Sequence, residues 1–310
     1  HLIATALVAV GTSFSAFWIL SLNSWMQTPT GYRIEDGVFF VESWWEGIFN
    51  PSFPYRFAHM FTASLLTAAF LIMGISAWRA MRGVDGPATW KVMRTGALMA
   101  AVLAPLQVVI GDLHGLNTLE HQPAKIAAME GIWETEKGAP LTLFGFPDEE
   151  EKTTHMAIKV PNLASLVLTH EWDGEVLGLN EFEGETPPVA PVFWAFRVMV
   201  GIGMLMVLTG WWSAWRLFRN RDENRETQTW LLRALSVMTF SGWIAVLAGW
   251  YVTEIGRQPW VVDGLLRTAD VVADHSSATV AGTLFGYVLL SLFLLVSYIA
   301  TLRYMATKPA

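Results

Sequence analysis

Six apolar stretches decide what this chain can fold into. They cover roughly residues 2–22, 54–78, 95–111, 190–215, 231–254 and 277–302, with few charges inside any of them. A helix needs about 20 such residues to cross the hydrocarbon of a bilayer. Lipid supplies no hydrogen bonds, so each stretch must satisfy its own backbone as a helix. Charged residues make up only 15% of the chain, where a soluble domain carries about 25%. The expected fold is an all-α polytopic membrane protein, with about six transmembrane helices and one long polar loop. Residues 1–111 would form three helices with an outer loop at 23–53. Residues 112–189 would form the polar loop, too long to be an idle connector, and 190–310 three more helices. Cysteine is absent, which excludes disulfides, thiolate metal sites and cysteine nucleophiles.

The formal net charge of −7 is unevenly placed. One set of connections holds Arg79, Arg82, Lys91, Arg94, Arg216, Arg219, Arg221, Arg225, Arg233, Arg303 and Lys308 against Asp85, Asp222, Glu223 and Glu226, a balance of +7. The rest of the chain, with nine basic and 23 acidic residues, balances at −14. The positive-inside rule puts the first set in the cytoplasm. The loops 23–53, 112–189 and 255–276 then lie outside. Lipid is an expected partner and nucleic acid is not.

Ionisable residues inside or at the edge of a span are functional hypotheses by default. Trp250 and Glu254 share a helix face at i and i+4, and Arg257 follows before Pro259 ends the helix. An aromatic plate, an acid and an arginine suit a large, flat, anionic cofactor. They equally suit an interfacial tryptophan belt with a snorkelling ion pair. Arg56 and His59, at i and i+3, share a face near the outer end of the second span. His59 reads as a ligand, a proton relay or a hydrogen-bonded core histidine. Arg197 lies about two turns inside the fourth span and needs an anion or a path outward. Met199 is packing unless a haem-like partner is present. Hydroxyls such as Thr12, Ser13 and Ser15 usually bond back to the i−4 carbonyl. A hydrogen-bonded path through Ser15 and Asn23 is the other reading.

In the loops, Phe39–Phe49 reads as a short interfacial helix, and residues 122–134 as an amphipathic helix with a proline in its first turn. Lys125 and Glu130, five apart, read by spacing as ordinary solvated charges. Leu141–Pro147 could lie on the membrane surface, and 148–151 is a solvated acidic run. His114, His121, His155 and His170 show no metal-ligand spacing. Pro105 is expected to kink the third span.

Taken in order, these segments resemble subunit I of cytochrome bd quinol oxidase, along nearly the whole chain. The matching strings are Gly11–Ile19, Asn23-Ser-Trp-Met-Gln27, Arg56-Phe-Ala-His59, Gly74–Trp78, Gly111-Asp112, Lys125-Ile-Ala-Ala-Met-Glu130, Ala195-Phe-Arg197-Val-Met199 and Gly249–Trp260. The length of the polar loop resembles the short-loop, cyanide-insensitive branch. The resemblance implies a terminal quinol oxidase of the bacterial cytoplasmic (inner) membrane. Quinol is oxidised on the outer side, and electrons pass through a low-spin haem b to a high-spin pair that reduces oxygen to water. That pair is a haem b with either haem d or a second high-spin haem b. By resemblance, His59 and Met199 are the low-spin haem ligands, and Glu254 ligates a high-spin haem iron. Arg56, Arg197, Trp250 and Arg257 bind cofactor. Lys125, Glu130 and Asp112 form the quinol site, and Ser15 and Asn23 belong to a proton route. A second membrane subunit (subunit II) and a small single-helix subunit are implied partners.

The family's first helices, with the histidine of the other high-spin haem, have no counterpart here, and His1 is not that histidine. The chain is therefore expected to be the C-terminal two-thirds of such a subunit. Two other classes stay open. One is a haem subunit that passes electrons from quinol without reducing oxygen. The other is a structural remnant that scaffolds a partner.

Overall fold

The computed structural model describes residues 1–219 and 225–307, with only the backbone of 225–228. Arg221, Asp222, Glu223, Lys308 and the side chains of Arg225 and Glu226 lie outside the described residues, as does their share of the charge asymmetry.

The chain runs α1 (Leu2–Trp25), a hairpin of β1 (Tyr32–Glu35) and β2 (Val38–Val41), α2 (Trp44–Ile48), α3 (Phe53–Met81), α4 (Pro87–His121) and α5 (Pro123–Glu130). The polar segment adds β3 (Glu136–Lys137), β4 (Leu141–Asp148), β5 (Thr153–Val160), α6 (Leu163–Thr169) and β6 (Glu175–Val176). Then come α7 (Val189–Arg219), α8 (Arg225–Val237), α9 (Ser241–Ile255), β7 (Trp260–Val262), β8 (Leu266–Arg267) and α10 (Ser277–Thr307). Among the described residues, six helical stretches are long and apolar enough to cross a membrane, as the apolar pattern requires. The protein is an integral membrane protein.

The bundle is built on α4. Its Gly96, Ala97, Ala100 and Ala104 are all buried and form a narrow face of small residues. Small residues let backbones approach closely where no hydrophobic effect separates helix from lipid. At Gly96 a Cβ would come within 2.6 Å of Met73 and 2.8 Å of the Ala69 carbonyl on α3. Helix α7 crosses the same face, with Gly210 against Ala100. Phe70, Met73, Met93 and Leu235 fill the space between α3, α4 and α8. In contrast, α1 and α10 leave most of their apolar length exposed. A second core surrounds α5, where Ile126, Ala127 and Ala128 pack with Val192 of α7 and Val252 of α9.

Three expectations need correction. Helix α4 does not stop near residue 111 but continues to His121. Nothing breaks it until Pro123, which pushes Gln122 out of the helical region to φ −139°, ψ 60°. Phe39–Phe49 is not one helix. Asp36 and Gly37, both at positive φ, make the two-residue turn of the β1–β2 hairpin, and Asp-Gly is a strong hairpin signal. Only Trp44–Ile48 is helical, and the Ser43 hydroxyl there accepts from the Glu46 N–H at 3.3 Å. Leu141–Pro147, for which the sequence set no secondary structure, lies in β4, paired antiparallel with β5. The fifth span is broken by a 3₁₀ turn at Met238–Phe240. There the hydroxyls of Thr239 and Ser241 donate to the Ser236 and Met238 carbonyls at 2.7 and 2.8 Å, competing with the helical ladder.

Pro105 removes the N–H that would have bonded the Ala101 carbonyl. The Trp211 indole N–H of α7 donates to that carbonyl at 3.0 Å, so the freed group is satisfied across the helix interface. Thr12 and Ser13 bond back to Val8 and Ala9, the ordinary behaviour of hydroxyls in a span.

The loops at one end of the bundle are knitted together by buried polar groups. Asn50, 1% exposed, donates to the Ser21 and Gly47 carbonyls and the Ser24 hydroxyl at 3.0–3.3 Å, and accepts from Thr28 at 3.2 Å. Asn50→Ala should destabilise the protein by roughly 2–3 kcal/mol, since it leaves several buried groups unpaired. Thermal unfolding of the detergent-solubilised protein reads this, and an unchanged midpoint would refute it. At the other end, Arg79 donates to the Ala306 carbonyl at 2.9 Å, joining the ends of α3 and α10.

Candidate functional site

The loops following α1, α4 and α9 meet at one end of the bundle and enclose a polar interior. The Asp263 N–H bonds the Met26 carbonyl at 2.9 Å, holding the 260–267 hairpin against the end of α1. Glu254 lies in the last turn of α9. Its Oε1 accepts from the Asn23 amide of α1 at 2.7 Å, and its Oε2 from Arg257 at 2.7 Å. Its side chain keeps 38% exposure. Trp250 is half-buried one turn earlier on the same helix.

Arg56 is buried near the start of α3, and its Nε has no hydrogen-bond partner among the described residues. It is within electrostatic reach of Glu254 and Arg257. One turn on, His59 has a buried Nδ1 without a partner. The His114 ring of α4 faces it edge-on at 5.4 Å, Gly111 leaves room beside it, and the Gln107 amide donates to its carbonyl at 3.1 Å. Met199 is half-buried on α7, its sulfur against Gly249 of α9, where a Cβ would approach to 2.9 Å.

Helix α5 brings Lys125 and Glu130 inside rather than to solvent. All six residues from Lys125 to Glu130 are buried, so the helix is not amphipathic and neither charge is solvated. The helix ends at Gly131, whose φ of +68° and contact with the Phe193 ring leave no room for a side chain. Lys125 Nζ donates to Gln27 Oε1 and Gln122 Oε1, each at 2.6 Å. Gln122 Nε2 donates to Asp263 Oδ1 at 3.0 Å. Burial, and then Arg56, hold the Lys125 ammonium well below the usual lysine range. Burial pushes the Glu130 carboxyl up to about 7, partly offset by Arg197. Glu130 Oε2 stands 3.7 Å from Arg197 Nη2 and accepts no hydrogen bond among the described residues. Arg197 itself donates to the Met129 and Phe193 carbonyls at 2.6 and 3.0 Å and to that of Thr142. It also lies 3.2 Å over the Phe193 ring.

Other expected residues fall outside this interior. Asp112 pairs with His170 at 3.6 Å on the rim. Ser15 is exposed on α1, two turns before Asn23. Asp148, Glu151 and His155 gather at the exposed tip of the β4–β5 hairpin. The backbone N–H groups of Glu150 and Glu151 hold the Asp148 carboxyl below its usual range. Sequence reasoning missed Gln122, Asp263 and His114 as site residues and met Gln27 only inside a string. A glutamine before a proline offered a weak signal, and Asp263 offered none.

A sequence profile of cytochrome bd terminal oxidase subunit I matches residues 1–310. The chain belongs to the cytochrome bd terminal oxidase subunit I family. It is 35% identical over 291 residues to cytochrome bd ubiquinol oxidase subunit 1 of Bacillus subtilis (strain 168), covering 90% of this chain and 61% of the relative. It is 30% identical to cytochrome bd-II ubiquinol oxidase subunit 1 of Escherichia coli (strain K12), covering all of this chain and 73% of the relative. The bd oxidase structure from Geobacillus thermodenitrificans superposes with a TM-score of 0.87 at 31% identity, over 98% of this chain and 69% of that one. The chain thus spans about three fifths of the length of the Bacillus relative.

Cytochrome bd oxidases bind haem, and the residues of this family member suit one. Imidazole and thioether are an axial pair for low-spin haem iron, and both come from spanning helices. The guanidinium nitrogens Arg56 Nε, Arg257 Nε and Arg257 Nη1 are buried and unpartnered among the described residues, as donors awaiting an anion would be, and His59 Nδ1 is likewise without a partner among them. Each Glu254 oxygen accepts one hydrogen bond and keeps a lone pair free. These groups could hold haem iron and propionates.

Proposed function

We propose that this chain forms the quinol-oxidising, haem-bearing part of a terminal oxidase that reduces oxygen to water. One observation carries the reading. Lys125 and Glu130 are ionisable, buried and on one short helix, and Lys125 lies within electrostatic reach of Arg56, Glu254 and Arg257. A buried acid and base near cations that keep unpartnered guanidinium nitrogens among the described residues suit proton-coupled oxidation better than scaffolding. The relatives' names, ubiquinol and menaquinol oxidases, support the same reading.

Quinol would bind beneath the 112–189 segment. Lys125 would donate to one quinone oxygen, and the Glu130 carboxylate would take a hydroxyl proton as general base, its pKa of about 7 suiting it to neutral pH. His59 and Met199 would ligate a low-spin haem b, with Arg56 and Arg197 supplying positive charge beside it. Glu254 would ligate a high-spin haem b or its partner haem (d or a second b), with Trp250 and Arg257 alongside. Haem, when bound, would supply one-electron redox chemistry. Asp112 would lie on the path by which quinol protons leave. Asn23, bonded to Glu254, would close a proton route from Ser15. The 112–189 side would face outside a bacterial cytoplasmic (inner) membrane, so proton release there would contribute to proton motive force. Subunit II and a small single-helix subunit would complete the assembly.

The test uses membranes holding the complete oxidase. Lys125→Ala should raise the quinol KM about tenfold or more, the loss of a charged hydrogen bond, with the reduced-haem spectrum intact. Quinol oxidation by the unaltered protein without oxygen uptake would overturn the terminal-oxidase reading.

A further inference from the structure

The four polar residues around Lys125 fix one another's orientation. An ammonium only donates, and a carboxylate only accepts. Both glutamines must therefore turn their amide oxygens toward Lys125 Nζ. For Gln122 this aims the amide nitrogen at Asp263, where it finds Oδ1 at 3.0 Å. The result is an ion pair relayed through an amide, from Lys125 through Gln122 to Asp263. For Gln27 the same constraint aims the amide nitrogen away from Lys125. That nitrogen is buried on a residue with 0% exposure and has no partner among the described residues. A buried amide donor left without a partner is unfavourable by about 1–3 kcal/mol, so it is the group to ask about. Lys125 also keeps one of its three N–H bonds uncommitted to Gln27 and Gln122. Two adjacent side chains thus each hold a spare donor.

We infer that Gln27 and Lys125 together form a two-donor clamp for a single quinone oxygen, and that Asp263 is a positioning residue that braces the lysine from behind through Gln122. This deepens the quinol-site reading and rests on it. A quinone oxygen has two lone pairs and takes two donors, while a hydroxyl still bearing its proton can accept as well. The clamp tightens as quinol becomes quinone, because the oxygen gains acceptor strength when it loses its proton. Asp263 never touches the substrate. Its charge acts along the Gln122 amide and offsets the cations Arg56 and Arg257, which face Lys125 from α3 and from the end of α9. It belongs to the 260–267 hairpin tied to Met26. The residue next to Met26 is Gln27, so the brace and the clamp are mounted on one support.

Gln27→Glu keeps an acceptor for Lys125 and removes the spare N–H. Gln27→Met removes both. Asp263→Asn keeps an acceptor for Gln122 and removes the charge. Steady-state quinol oxidation is measured in membranes holding the complete oxidase, beside Lys125→Ala and with the reduced-haem spectrum as a check on assembly. Gln27→Glu and Gln27→Met should each raise KM about tenfold, equal to ~1.4 kcal/mol, with kcat changed less than twofold. Asp263→Asn should raise KM about threefold to tenfold, and only where Lys125 is present. In a Lys125→Ala background it should add nothing. If Lys125→Ala shifts KM but neither Gln27 variant does, the clamp is wrong while the quinol site stands. An Asp263→Asn effect that persists without Lys125 would overturn the brace. If Lys125→Ala itself leaves KM unchanged, the underlying quinol-site reading falls instead. Should Gln27→Met fail to assemble, Gln27→Glu alone decides the donor role.

Discussion

Replacing His59 by alanine is expected to abolish the low-spin haem b signal in reduced-minus-oxidised spectra of membranes holding the complete oxidase. No other imidazole lies on α3. The nearest one, His114 on α4, faces His59 at 5.4 Å, close enough to substitute after a small shift. The double variant His59→Ala/His114→Ala removes that route. Met199→Leu keeps the imidazole and the volume but loses the soft sulfur, so the signal should move toward high-spin with a lowered potential. A full low-spin signal in the double variant would refute ligation by His59.

Glu130→Gln is expected to slow quinol oxidation by about 100-fold or more while leaving haem content unchanged, the range seen when a positioned base is removed. The unaltered protein should show a pH dependence that the variant lacks. Burial raises the Glu130 pKa to about 7, so the carboxyl is mostly protonated below that pH and cannot accept a proton. Turnover should therefore rise with pH through about 7 and level off above it, a direction opposite to that of a group that must be protonated to work. Stopped-flow reduction of haem by quinol across pH 5.5–8.5 reads this, about 1.5 units either side of the carboxyl's midpoint. A flat profile in the unaltered protein would refute the role of Glu130 as base.

The spans were legible because lipid imposes one rule, that an apolar run of sufficient length must be helical. Where that rule stops, legibility stops too. The break at Met238–Phe240 depends on hydroxyls choosing carbonyls and on Thr239 packing against Gly74 of another helix. Neither is written in the local pattern. Lys125 and Glu130 looked solvated by spacing because spacing measures one helix alone. Their burial comes from α7 and α9 closing around α5, where Val192 and Val252 supply the walls. Family resemblance, not periodicity, pointed to them. The Asp36-Gly37 turn was legible and was passed over in favour of the apolar run beyond it. Asp263 could not be found from its neighbours, since its partner Gln122 lies 141 residues away.

Helix α4 carries neither of the two residues assigned to the low-spin iron, yet it sets their relative height. Through Gln107 it grips the carbonyl of His59 on α3. Six residues earlier, about 9 Å along the axis, its Ala101 carbonyl is gripped by Trp211 of α7, the helix that carries Met199. Both grips are single hydrogen bonds with one register. A slide of either neighbour by a turn would break one of them and drive side chains into the glycine and alanine face. The proline that frees Ala101 therefore works as the zero mark of a depth gauge, and His59 and Met199 are both read against it.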